Sequence, residues 1–381
     1  MASSRRSRKT RRSASLATLA RHDAQIPALW IFAVLFILFG KQWQAATAGH
    51  AALTFILFVS LFGAILWGAF GVVRHAEHLA EKLGEPYGTL ILTMSVTVIE
   101  VAFIVTAVFN GAPGSPVARD AVFAVFMIML NGVVGICLLL GGLRHHEQSY
   151  NLPGARAFLA VTIPLAVFAL VLPNFTQTPG PILSSAQALT IGALTLALYG
   201  VFLTMQTARY SGFFKDPDSI GELLEHDHHS SRSVGFHSAA LLATLLPAVF
   251  LTEELGHIVE RAVQAAGAPI AVVGVIVAVL VLAPESMGAL QAAIRNKLQR
   301  SVNIALGSVL ATIGLTIPGV LLLGVVMGKP IVLGLGPREM LLLATTLLVS
   351  SLTFGGERTN MLQGVVHLVM FLVFILLMFL P

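Results

Sequence analysis

Apolar residues gather into eleven runs, near residues 27–48, 50–73, 87–110, 117–143, 155–174, 186–208, 235–259, 269–292, 301–327, 337–353 and 362–380. Most of them reach the ~20 residues with which an α-helix crosses a hydrocarbon core of about 30 Å. The pattern therefore predicts an all-α, polytopic membrane protein of about eleven transmembrane helices. The longest polar interruption runs from Ala208 to Val234 and divides the chain into nearly equal halves. It holds Lys215-Asp216-Pro217-Asp218, Glu222, Glu225 and the cluster His226-Asp227-His228-His229. The expected organisation is a basic tail (1–26), a first helix (27–49), a five-helix unit (50–208), a His/acid loop (209–234) and a second five-helix unit (235–381).

Composition excludes a water-soluble domain: of 381 residues 56% are hydrophobic and only 11% charged, against about 25% charged in soluble proteins, and the mean hydropathy is +0.86. The single cysteine, Cys137, excludes an intrachain disulfide and any multi-cysteine zinc or iron–sulfur site. A net charge of +5 could suggest nucleic acid, but its distribution reads as membrane topology instead. Alternating the connections between two sides puts eighteen of the 23 Lys and Arg on the amino-terminal side, Arg5, Arg6, Arg8, Lys9, Arg11, Arg12 and Arg21 among them. Only Lys41, Arg119, Arg261, Lys329 and Arg338 fall on the other side. The positive-inside rule then predicts a cytoplasmic amino terminus and an external carboxyl terminus. The tail from Arg5 to Arg12 is read as that topology signal, ahead of a nucleic-acid patch, a twin-arginine signal or an anionic-lipid contact. No small-residue cleavage site follows a short apolar core, so no removed signal peptide is expected.

An internal repeat links the halves. Glu77 precedes Pro86, within Gly84-Glu85-Pro86, by nine residues, and an apolar span carrying Glu100 follows. Glu260 precedes Pro269, within Gly267-Ala268-Pro269, also by nine, and a span carrying Glu285 follows. The proline-to-glutamate distances are 14 and 16 residues. Each such span leads to another rich in small and polar residues, with Asn131-Gly132 in one and Gly307-Ser308-Val309-Leu310-Ala311-Thr312 in the other. Five crossings separate the copies, so they run in opposite directions, and inverted repeats place equivalent residues around a shared midplane site.

An ionised carboxylate at the bilayer centre costs several kcal/mol, so intramembrane acids face a polar cavity or a partner. Glu100 lies twelve residues past Gly88, about 18 Å of helix rise, which puts it near the midplane. Thr89, Thr93 and Thr97 share its helix face. Glu285 follows Pro284, whose missing N–H leaves the Leu280 carbonyl without its ladder partner and favours a kink. Neither segment holds a lysine or arginine to neutralise these acids. Two carboxylates so placed can hold a cation or protons, and if only loaded states cross, the outcome is exchange. Their joint charge of −2 suits calcium better than sodium. Calcium's need for about six to eight oxygens would be met by the carboxylates, Asn131, Ser308, Thr312, the freed carbonyl and water. Asn131 and Ser308 also read as interhelical hydrogen bonds. Glu77, Glu253, Glu254, His257 and Glu260 sit nearer the predicted interfaces, either as ion guides and gates or as solvated charges. The cluster His226 to His229 reads as a solvated linker, with a regulatory or metal-sensing role as its alternative.

Two long motifs complete the reading. Val281-Leu-Ala-Pro-Glu285-Ser-Met-Gly-Ala-Leu-Gln-Ala-Ala-Ile-Arg-Asn-Lys-Leu298, with its continuation through Gly307-Ser308 and Thr312 to Pro318, resembles the second α-repeat of the cation/proton exchanger family of the calcium/cation antiporter superfamily. Glu77-His-Leu-Ala with Gly84-Glu-Pro-Tyr-Gly-Thr-Leu-Ile-Leu-Thr-Met-Ser-Val-Thr-Val-Ile-Glu100 resembles the first, and the bacterial ChaA-type branch is the most similar. The resemblance spans most of residues 60–380. It implies an inverted five-plus-five core behind an extra first helix, an acidic cytoplasmic loop, alternating access, and a home in the bacterial inner membrane. By motif it makes Glu100 and Glu285 the central acidic ligands, flanks them with Asn131 and Ser308, and makes Glu77 and Glu260 outer acids. Plant and fungal members carry Gly-Asn-x-x-Glu at both glutamates, where this chain has Val96-Thr97-Val98-Ile99-Glu100 and Val281-Leu282-Ala283-Pro284-Glu285.

The function expected is proton-driven antiport of calcium, with sodium or potassium as alternative cargo. No cofactor and no nucleic-acid partner are expected. The rivals are a cation channel without proton coupling and, from another class, an intramembrane hydrolase. The chain lacks His-Glu-x-x-His, Gly-x-Ser-x-Gly and the phosphate-binding Gly-x4-Gly-Lys-Ser/Thr, which argues against enzyme chemistry and ATP drive.

Overall fold

The computed structural model describes residues 23–46, 49–83, 94–95, 97–102, 104–105, 114–215 and 233–380. The basic tail, Gly84-Glu85-Pro86, Gly88, Thr89, Thr93, most of the third predicted span and the cluster His226-Asp227-His228-His229 lie outside them. The long helices are α1 (Gln25–Ala46), α2 (Ala51–Leu83), α3 (Val117–His145), α4 (Leu152–Phe175), α5 (Ser185–Arg209), α6 (Val234–Ala265), α7 (Ala271–Ile294), α8 (Leu298–Val326), α9 (Pro337–Thr353) and α10 (Met361–Phe379). Nine of them are long and apolar enough to cross a membrane; α9, with 17 residues, is the shorter one. Helical residues 97–102 carry Glu100 between α2 and α3.

Two helices outrun their apolar segments. The run ending near residue 73 continues as α2 to Leu83, because Val72, His75, Ala76 and Leu79 keep one buried stripe at helical spacing against α6. Helix α6 likewise passes residue 259 to Ala265 through buried Ile258, Val259 and Val263. Helix α1 buries only Gln25, Leu29, Ala33, Phe36 and Gly40, a single stripe set on α2 and α6, so it lies at the periphery. Helix α3 is the opposite case, buried at every position from Ala121 to Gly135, as a run apolar on all sides demands.

Pro284 does not interrupt α7, which runs through it as one α-helix. Among the described helices the departures from α-geometry are π-turns at Met127–Val133 in α3, Val167–Val171 in α4, Met205–Arg209 in α5 and Thr312–Thr316 in α8, and a 3-10 turn at Leu172–Phe175 that ends α4. Those of α3 and α8 occupy matching helices of the two halves.

At the end of the bundle where α3 joins α4 and α9 joins α10, the chain forms two short strands, β1 (Glu147–Ser149) and β2 (Arg358–Asn360). They pair antiparallel with Gln148 opposite Thr359. Beside them the Tyr150 hydroxyl donates to the Gly356 carbonyl; burial pushes its pKa up to about 12, so it stays a donor at physiological pH. Helices α3 and α10 cross on small residues: a Cβ on Gly142 would stand 2.6 Å from the Met361 nitrogen.

Candidate functional site

The site forms where the Glu100 segment, α7 and α8 meet. Glu285, on α7, accepts a hydrogen bond of 2.5 Å from Ser308 Oγ on α8. One and two turns further along α8, Thr312 and Thr316 donate to Glu100 Oε2 at 3.2 and 2.7 Å. One helix thus serves both carboxylates. The π-turn at Thr312–Thr316 widens α8 where its two threonines reach Glu100.

Their surroundings differ. Glu100 is 8% exposed, and its second oxygen, Oε1, is buried with no hydrogen-bond partner among the described residues. Thr97, on the same helical stretch, is buried as well. Glu285 and Ser308 line a cavity of about 500 Å³ together with Pro284, Gly288, Gly307 and Ala311. The cavity extends between Phe158, Tyr199 and Phe202 to a rim of Gln206, Thr207, Lys215, Arg300 and Asn303, with Glu77 at its edge. That rim is built from the last turns of α5 and the first of α8, on the side of the 209–234 segment. Among the described residues no three His, Cys, Asp or Glu side chains converge as a metal-binding group. The oxygens that these hydrogen bonds bring together are two carboxylates and three hydroxyls.

The remaining predicted residues lie elsewhere. Asn131, in the π-turn of α3, donates from Nδ2 to Thr346 Oγ1 at 2.8 Å, and its Oδ1 lies 3.2 Å from His367 Nδ1. Its amide thus engages α9 and α10 rather than either glutamate. Glu254 accepts from Gln44 Nε2 at 2.7 Å, and Arg261 donates to the carbonyls of Gln44 and His257, which ties α1 to α6. Glu260 accepts from Gln264 Nε2 at 3.4 Å, and Glu253, His257 and Glu260 are half-buried along α6. The residue that sequence reasoning passed over is Thr316. It stands one turn beyond Thr312 within the same motif, and the four-residue spacing was the available signal.

A family profile described as sodium/calcium exchanger protein matches residues 53–208 and 236–380. The chain is 36% identical to the sodium-potassium/proton antiporter ChaA of Escherichia coli (strain K12), across 92% of this chain and 95% of that one. It is 27% identical to a Ca(2+)/H(+) antiporter of Aphanothece halophytica, across 63% and 68%. Among solved structures, native YfkE shares the fold with a TM-score of 0.70 at 19% identity, covering 93% of this chain and 100% of that chain. The relatives are transporters rather than enzymes. With most of its length matched, the chain belongs to the sodium/calcium exchanger protein family, as a cation exchanger of the calcium/cation antiporter superfamily embedded in the membrane.

Proposed function

We propose that the protein is a secondary active antiporter that exports Ca2+ in exchange for H+ by alternating access, with Glu100 and Glu285 binding either the cation or protons. The observation that carries this reading is the pairing of a cavity-lining Glu285 with a Glu100 whose Oε1 is buried and has no hydrogen-bond partner among the described residues. A buried carboxylate oxygen without a donor requires a proton or a cation. Two such groups in a low-dielectric site make proton and cation occupancy mutually exclusive, which is the coupling rule an exchanger needs. The charge of two ionised glutamates matches a divalent ion, and the hydroxyls of Ser308, Thr312 and Thr316 add neutral oxygens suited to a hard cation. Thr97 and Asn131 complete the set, and Glu77 and Glu260 guide ions at the two faces.

A specific observation favours a second cargo: the relative with 36% identity is named for sodium and potassium, the one with 27% for calcium. The test is purified protein in liposomes enclosing a pH dye, with Ca2+, Na+ and K+ added separately. Calcium-driven proton movement establishes the first reading, and movement with Na+ or K+ alone establishes the second. Cation flux without any proton movement establishes a channel and overturns both. The expected setting is a bacterial inner membrane, with the cavity rim and the amino terminus facing the cytoplasm.

A further inference from the structure

Behind the π-turn of α3 lies a buried polar chain that the ion site does not absorb. Asn131, Thr346 and His367 are each 0% exposed and Thr353 is 3% exposed. They come from α3, α9 and α10, with more than two hundred residues between Asn131 and the other three. Thr353 Oγ1 lies 3.0 Å from His367 Nε2, His367 Nδ1 lies 3.2 Å from Asn131 Oδ1, and Asn131 Nδ2 donates to Thr346 Oγ1 at 2.8 Å. With the Asn131 amide nitrogen on Thr346, its Oδ1 accepts from the ring, so the neutral His367 of this arrangement donates from Nδ1 and accepts the Thr353 hydroxyl at Nε2. The π-turn of α3 touches the ion site from behind: Met129 Sδ is 3.9 Å from Ser286 Oγ, the residue beside Glu285.

We propose that His367 is a positioning residue for the cation site, fixing the Asn131 amide so that its oxygen keeps one lone pair toward a bound cation while the other accepts from the ring. This rests on the reading that Asn131 belongs to that site. The arrangement parallels outer-sphere partners of metal ligands, whose removal costs about 10–100-fold in affinity. It also assigns a role to a fully buried histidine in an otherwise apolar helix, where packing alone would favour leucine. The matching π-turn of α8 applies its hydroxyls directly to Glu100; that of α3 presents Asn131 indirectly, through α9 and α10.

The experiment measures KM and Vmax for cation-driven proton movement in proteoliposomes, with folding checked by size-exclusion elution. His367→Leu is expected to raise KM about 10-fold or more at unchanged Vmax. His367→Asn, whose amide N–H replaces that of the ring, is expected to restore most of the loss. In an Asn131→Ala background His367→Leu is expected to add nothing, since coupled residues are not additive. If Asn131→Ala raises KM while His367→Leu does not, the proposal is overturned and the reading of Asn131 stands. If Asn131→Ala itself leaves KM unchanged, Asn131 leaves the site and the proposal falls with it. Should His367→Leu fail to fold, Thr346→Val, which removes the other partner of the amide, decides: an unchanged KM there overturns the proposal.

Discussion

Three hydroxyls of α8 hydrogen-bond two carboxylates inside the helix bundle. Thr316 gives Glu100 its shorter hydrogen bond, 2.7 Å against 3.2 Å from Thr312. A hydrogen bond to a charged group contributes about 1.5–3 kcal/mol, so Thr316→Val is expected to raise the cation KM by about 10-fold or more, with Thr312→Val weaker, as dye-loaded liposomes would measure. Equal effects of the two would contradict the geometry. Under the proposed competition of protons and cations for the same oxygens, the apparent KM is expected to rise as the cation-side pH falls, and a pH-independent KM would oppose competition. Much of this constellation was legible in the sequence, because an acid in an apolar run demands a partner and Ser308 and Thr312 stand in the adjoining motif. Thr316 escaped because a threonine in a span equally suits a bond to its own helix carbonyl. Thr346 and His367 escaped for a different reason: their partner Asn131 lies more than two hundred residues away, and no local periodicity encodes that meeting.

At the scale of the element, the helices follow the hydrophobic pattern while their irregularities do not. Runs of about twenty apolar residues set the number and order of the helices, yet α2 and α6 extend well past them because amphipathic stripes replace uniform apolarity near the ends. The π-turns at Met127–Val133 and Thr312–Thr316 were not legible, since one extra residue per turn leaves an all-apolar run unchanged. Pro284, read from the sequence as removing the ladder bond to the Leu280 carbonyl and favouring a kink, sits inside a continuous helix, and Pro173 and Pro318 stand two residues beyond π-turns. The glycine crossing of α3 and α10 gives a stability prediction. Gly142→Ala sets a Cβ against the Met361 backbone, and overpacking of this kind costs about 1–3 kcal/mol. A lower midpoint in a detergent thermal-shift series is expected, and an unchanged midpoint would mean that the crossing can relax.

For the whole molecule, the proposed orientation puts the cavity mouth on the cytoplasmic side. The cavity reaches Glu285 from a rim of α5 and α8 residues beside the 209–234 segment, and basic residues concentrate on that side. Gln206→Cys, in a background where the sole and buried Cys137 is replaced by Ala, is expected to react with a membrane-impermeant maleimide in everted vesicles and not in intact cells. The reverse labelling would invert the topology. The central claim is tested most directly in everted vesicles energised to an acidic interior. Collapse of the proton gradient is recorded on addition of Ca2+, Na+ or K+, for the unaltered chain and for Glu100→Gln and Glu285→Gln. The account predicts cation-dependent collapse by the unaltered chain and none by either variant; collapse that persists in both variants would contradict it.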